Sequence, residues 1–225
     1  MPRFTAIRQS SRGMLGITST QSKTSCLTDR HAFSKQLQMG STSHRRKTRK
    51  SRLSAKAAYE YHLKNWSDIQ DHLPRLKAAA HGNCVEIGTR HGVSTSALLS
   101  GIEERGGHLY SLDINDCSSV FKGHPDWTFL RVNTVRDGSQ VSLPEAEVLF
   151  VDGDHTYNGA LTDLRTFGWK AKRIFVHDTD APDYPGVRQA VDKFCEESKR
   201  KVTYHSGSYG MAEIEERNEN RGILL

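Results

Sequence analysis

The stretch NCVEIGTRHGVSTSALLSGIEERGG, residues 83–107, changes its hydrophobic period once, and that change decides the fold. Asn83 to Gly88 is a short apolar run closed by glycine, which reads as a buried strand. The remainder reads as a helix bounded by glycines. The same switch recurs downstream: HLYSLDI (108–114), TFLRVN (128–133), AEVLFVDGD (146–154) and RIFVHDT (173–179) read as strands. TYNGALTDLRTFGWK reads as a helix, as does YPGVRQAVDKFCEESK, with Pro185 near its first turn and Val187, Ala190, Val191, Phe194 and Cys195 as its apolar stripe. KVTYHSGS and YGMAEIEE, turning around Gly207 and Gly210, read as a closing hairpin. Upstream, Ala57 to Ala80 is helical, with Tyr59, Leu63, Trp66, Ile69 and Leu73 on one face and Pro74 either kinking it or starting a second helix. Strands alternating with helices give an α/β fold, a seven-stranded mostly parallel sheet with an antiparallel last strand and helices on both faces.

Ligands of such folds bind beyond the carboxyl ends of the strands. Four ends here carry polar groups: Glu86-Ile87-Gly88, Asp113, Asp152-Gly153-Asp154-His155 and His177-Asp178-Thr179. The loop after the first strand has the spacing G-x-x-x-G, with Arg90 between the glycines. A dinucleotide fingerprint needs G-x-G-x-x-G, and a phosphate-binding P-loop needs a terminal Gly-Lys-Ser/Thr, so both readings weaken.

An acid two residues before the first glycine, followed by G-x-x-x-G, resembles motif I of the class I S-adenosylmethionine-dependent methyltransferases. FVDGDHTY, HDT, PGVRQAVDKF and the closing GSYGMAEI follow in order, similar to the branch of macrolide-sugar, cephalosporin-pathway and catechol-type O-methyltransferases. The likeness spans about Asn83 to Glu216 and implies a Rossmann-like core at 83–216, preceded by N-terminal helices at 57–80. It implies that Glu86, Gly88, Thr89, Gly92 and Ser94 line the S-adenosylmethionine site, Glu86 toward the amino group of its methionine part. Asp113, 25 residues after Gly88, would accept from both ribose hydroxyls, and Asn133 would lie near the adenine.

The same resemblance implies a divalent cation beside the cofactor, held by Asp152 and Asp178, with Thr179 where catechol-type enzymes have Asn. Mg²⁺, a hard cation that keeps several waters, suits carboxylates and a hydroxyl. His155 stands where those enzymes carry a basic lysine, and an imidazole could accept the proton of an acceptor hydroxyl. His177 replaces an acid of macrolide-type relatives; packing against the cofactor, or a hydrogen bond within the site, is its other reading. Asp154 reads as the cap of the following helix. The expected activity is methyl transfer to a hydroxyl oxygen of a small molecule or glycan. The Asn/Asp-Pro-Pro-aromatic tetrapeptide of amino-group base methylation is absent after the fourth strand, which argues against nucleic acid as the acceptor.

Two rival readings come from the same residues. DGDHT fits the D-x-D-x-T of haloacid-dehalogenase-type phosphatases, whose first Asp is a nucleophile. That motif usually opens its domain, whereas only 73 residues follow Asp152. The other rival is a non-catalytic cofactor-binding module whose basic tail recruits nucleic acid.

Charge separates tail from body. Residues 1–56 hold 13 Lys and Arg against a single acid, Asp29, a formal +12, while the remainder carries −6. Ser- and Thr-rich with two aromatics, the tail reads as disordered. Its densest part, HRRKTRKSR (44–52), could meet nucleic acid, an anionic membrane or an import receptor. The composition also resembles a transit peptide, and a start codon placed too early, with Met14 or Met39 as the later candidates, is the bland reading. No apolar stretch approaches the roughly 18 residues that span a bilayer. Four cysteines (26, 84, 117, 195) show neither CxxC nor zinc spacing and read as free thiols of a cytoplasmic body.

Overall fold

The structure is a computed structural model that describes residues 54–216. The readings for the basic tail lie outside these residues, except that the first helix, α1 (Ala55–Lys64), starts just inside the span read as tail. It is followed by a 3₁₀ turn (Gln70–His72), α2 (Leu73–Ala79), β1 (Gly82–Ile87), α3 (Val93–Arg105), β2 (Gly107–Asp113) and β3 (Trp127–Arg131). Then come α4 (Thr134–Asp137), β4 (Ala146–Val151), α5 (Tyr157–Phe167), β5 (Ala171–His177), α6 (Pro185–Ser198), β6 (Val202–His205) and β7 (Met211–Ile214). One seven-stranded sheet has the order β3-β2-β1-β4-β5-β7-β6; β1 to β5 are parallel, and β7 runs antiparallel to both its neighbours.

Strand alternation sends Cys84, Val148, Phe150 and Phe175 into a core with α1, α2 and α3 on one face. Leu149, Ile174 and Val176 are equally buried but belong outside that cluster, on the face where the apolar stripes of α5 and α6 lie. α3 is buried from Ser94 through Ile102, because α1 and α2 cover the side that would otherwise meet solvent. Cys84, Cys117 and Cys195 are buried free thiols, as the sequence suggests.

Two boundaries here differ from the sequence reading, and the structure decides between its two alternatives for Pro74. The apolar periodicity of the first helix does not continue through Trp66, which is 83% exposed; Asn65 is extended and donates its side-chain amide to Tyr61 O at 2.7 Å, ending α1. Pro74 starts the second helix, the position where its missing N–H costs nothing. β3 ends at Arg131, so Asn133 is a helix cap and not a strand end: its Oδ1 accepts the Arg136 N–H at 3.0 Å.

The parallel register sets the ligand edge. Ile87 pairs with Leu112 on β2 and Val151 on β4, and Val151 pairs with Val176 on β5. The next residue of each strand, Gly88, Asp113, Asp152 and His177, therefore forms one row. Gly88 has φ +91, and a Cβ there would sit 2.0 Å from the Asp152 carbonyl oxygen. Beneath this row, Glu86 is fully buried. It accepts Ser94 Oγ–H at 2.7 Å and Thr95 Oγ1–H at 2.8 Å from α3, and Ser111 Oγ–H at 2.6 Å from β2. Ser111 in turn accepts Trp127 Nε1–H from β3 at 2.9 Å. Burial raises the Glu86 carboxyl to about 7 against the lowering of its three hydroxyl donors.

Two outcomes are expected. Gly88→Ala forces both a left-handed side-chain-bearing residue and a backbone clash, and should cost at least about 2 kcal/mol in denaturant unfolding. Glu86 keeps its proton in the folded state up to about 7, whereas the unfolded chain releases it near 4.5. Its contribution is thus complete below 4.5 and lost as pH rises through 7, on the order of 3 kcal/mol. Glu86→Gln should remove that slope between pH 4.5 and 7 from a pH series of unfolding curves.

Candidate active site

The carboxyl ends of β4 and β5 bring together two carboxylates and two imidazoles. Asp152 Oδ1 lies 3.3 Å from His155 Nε2 and 3.3 Å from His177 Nδ1. Asp178 approaches His155 Nε2 at 3.1 Å and His177 Nδ1 at 3.4 Å. Asp152, His155 and Asp178 each offer a ligand atom within 4.8 Å of the others, the spacing of a metal site. His177 and Asp178 are buried, while His155 is partly open and stacks on Tyr184 with centroids 4.5 Å apart.

Local chain geometry places these groups. β4 stops at Val151, so Asp152 to His155 form a loop and not the strand extension expected to 154. Asp154 turns that loop by accepting the Thr156 N–H at 2.9 Å; the cap of α5 is Thr156, whose Oγ1 accepts the Gly159 N–H at 3.0 Å. The hydroxyl two residues on reaches the first turn of the helix, which corrects the capping role expected for Asp154. β5 stops at His177, and Asp178 follows with φ +62, a left-handed conformation that costs a non-glycine residue energy and recurs at functional sites. Thr179 is buried, and its Oγ1 has no hydrogen-bond partner.

The electrostatics of these four groups are coupled. Burial alone would raise the Asp152 carboxyl, but hydrogen bonds from His155 and His177 hold it below the usual carboxylate range. Burial would lower the His177 imidazole, yet Asp152 and Asp178 lift it to about 9. The hydrogen bond to Asp152 raises His155 too. Burial raises the Asp178 carboxyl, offset in part by the two histidines. A protonated His177 thus offsets part of the carboxylate charge. A divalent cation would fit the same charge balance, and two carboxylates are donors that Mg²⁺ accepts.

On the other side of the row, Asp113 holds the loop after β1. Its Oδ2 accepts the N–H groups of Thr89 at 2.9 Å and Arg90 at 3.0 Å, and its Oδ1 that of Asn115 at 2.8 Å. A carboxylate has about four acceptor positions, so capacity remains toward solvent. Thr89 Oγ1 is buried and unpartnered, an orphaned polar atom within the loop a cofactor would line. Ser94 is turned to Glu86. Gly92 (φ +78) meets Val120 where a Cβ would stand, at 2.2 Å, and Gly88 meets the Asp152 carbonyl, so close protein contacts already demand both glycines. Cofactor proximity is not their only reason.

His177 was legible as a member of the strand-end row, but its partnership with two separate loops was not. Its Nε2 lies 2.8 Å from Ser208 O in the β6–β7 turn and 3.2 Å from Asp68 O before α2, contacts more than 30 and 100 residues away in sequence.

Comparison with known proteins gives consistent results. The methyltransferase domain family model matches residues 85–179. Among solved structures, the MycE methyltransferase from the mycinamycin biosynthetic pathway, in complex with Mg, SAH and mycinamycin VI, is 15% identical with a TM-score of 0.53. That match covers 77% of this chain and 57% of MycE, so the chain spans little more than half of that relative. SAH-bound Podospora anserina methyltransferase PaMTH1 is 15% identical with a TM-score of 0.53, covering 91% of this chain and 100% of that one. The O-methyltransferase NovP is 14% identical with a TM-score of 0.51, covering 66% and 81%. No curated protein sequence matches this chain. A methyltransferase domain model thus matches residues 85–179 of this chain, and the seven-stranded sheet that frames them is the fold shared with these methyltransferase structures.

Proposed function

We propose that this protein transfers a methyl group from S-adenosylmethionine to a hydroxyl oxygen of a small molecule or glycan. The observation that carries the reading is the row at the carboxyl edge of the sheet, in which the loop from Gly88, the Asp113 carboxylate, Asp152 and His177 stand side by side. When bound, S-adenosylmethionine supplies a methyl group already activated on a sulfonium, so the protein's task is chiefly alignment and proton removal.

The chain's residues divide that task. The loop Gly88-Thr89, with Gly92 and Ser94 behind it, would line the donor site, and the free face of Asp113 would accept from the ribose. Asn133, at the start of α4, stands by the adenine. Asp152 and Asp178 would hold a divalent cation, which would lower the pKa of an acceptor hydroxyl. His155, the most open of the four site groups at β4 and β5, takes the hydroxyl proton. The histidine holds that position against the Tyr184 ring. The unpaired buried thiols agree with a reducing, cytoplasmic setting.

The phosphatase reading finds no support. Asp152 follows the fourth strand within the matched methyltransferase domain and shares its carboxylate with two histidines.

Calorimetric titration with S-adenosylmethionine and with its demethylated product should give binding to one site. Asp113→Ala should weaken it about 10- to 100-fold, the scale of lost hydrogen bonds to a charged group, while remaining folded by thermal unfolding. Absence of binding, or an Asp113→Ala variant indistinguishable from the parent, would overturn the assignment. The acceptor class is tested with a labelled methyl donor and a panel of hydroxyl compounds: label recovered as a methyl ether supports oxygen transfer, and label on nitrogen or carbon refutes it.

A further inference from the structure

The methionine end of the methyl donor carries a carboxylate as well as an ammonium, and the sheet edge that would receive it is acidic. Asp113, Asp152 and Asp178 suit a sulfonium and an ammonium, but a carboxylate among them needs a cation. Among the four residues that follow each of β1, β2, β4 and β5, Arg90 is the only Lys or Arg. Its backbone is fixed: the N–H donates to Asp113 Oδ2 at 3.0 Å, and φ is +46, a left-handed conformation of the kind that recurs at functional sites. The guanidinium reaches away from that loop to Asp68, Nη1 to Oδ2 at 3.2 Å. Asp68 is held from the other side, its carbonyl oxygen 3.2 Å from His177 Nε2. Burial raises the Asp178 carboxyl, and the charge of Asp68 adds to that rise. The Arg90–Asp68 pair therefore links the ends of β1 and β5, between which β4 and Asp152 lie.

We propose that Arg90 and Asp68 part around the amino-acid end of the donor, Arg90 receiving its carboxylate and Asp68 its ammonium, an assignment that rests on the methyl-donor reading of this edge. Glu86, toward which the resemblance directs the amino group, is fully buried and engaged by three hydroxyls, so another acid must take that role. Both members of the pair are open, with side chains 75% and 43% exposed. An ion pair so placed adds little to stability, so parting it costs the fold little. A guanidinium binds a carboxylate best through two parallel hydrogen bonds, and the contact to Asp68 occupies only one nitrogen. The donor's own zwitterion takes the place of the internal pair, and neither protein charge is left without a partner. A ligand lacking one of the two charges makes only half of that exchange.

Calorimetry on the full chain tests this with three ligands: S-adenosylhomocysteine, its decarboxylated amine and its deaminated acid. The parent should prefer S-adenosylhomocysteine to both. In Arg90→Ala its preference over the amine should fall about 10- to 100-fold, the scale of charge-assisted hydrogen bonds. In Asp68→Ala the preference over the acid should fall by a similar factor. Damage to the site weakens the ligands alike and leaves these ratios where they were, so the ratios report the two contacts and not the fold. A preference that stays unchanged in either variant, or a parent that binds all three ligands equally, would overturn the pairing while the donor reading stands. A parent that binds none of the three overturns the donor reading itself.

Discussion

The ends of β1 and β4 touch through bare backbone, and the rest of the site is built on that contact. The Asp152 N–H donates to Ile87 O at 2.8 Å, and the Asp152 carbonyl occupies the space a side chain at residue 88 would need. Only glycine lets the two chains part at that point without spreading the strands. From there the β1 chain turns into the loop that Asp113 gathers by its backbone N–H groups, and the β4 chain turns toward His155. The glycine loop after β1 and an acidic site therefore sit back to back, separated by one backbone contact.

Charge is compensated differently on two levels. Beneath the edge, Glu86 is dry: burial favours its protonated form against the pull of three hydroxyl donors, and those hydrogen bonds tie three strands to α3. At the edge, Asp152 and Asp178 face two imidazoles whose proton affinity they raise. The first arrangement serves the fold, and the second lies at the open edge of the sheet. His177 also joins that charge pair to the β6–β7 turn, which is anchored in turn to the N-terminal segment by Ser208 and Asp71 at 2.9 Å and by His72 and Gly207 O at 2.8 Å.

Much of this was readable in the chain because it follows from local rules. Period switching places all seven strands together with α3, α5 and α6, though not the short α4, and polar residues closing apolar runs mark Asp113, Asp152 and Asp178. Trp66 was misplaced because periodicity does not reveal that Asn65 becomes extended. Asp154 was assigned the cap because Thr156, equally able to cap, lies two residues on and the loop conformation chooses between them. Gly88 and Gly92 pointed to close approach, but the partners, a carbonyl of β4 and the Val120 side chain, come from distant segments.

The sequence by itself determined the alternating sheet, the identity of the groups at its carboxyl edge and the separation of a basic tail from an acidic body, since hydrophobic period, strand termination and net charge are properties of neighbouring residues. Tertiary structure alone decided that His155 and His177 meet around Asp152, which nitrogen of His177 is free to face it, and that Glu86 is spent on internal hydroxyls. Those outcomes depend on strand register and on loops more than a hundred residues apart, and the local pattern carries no record of either.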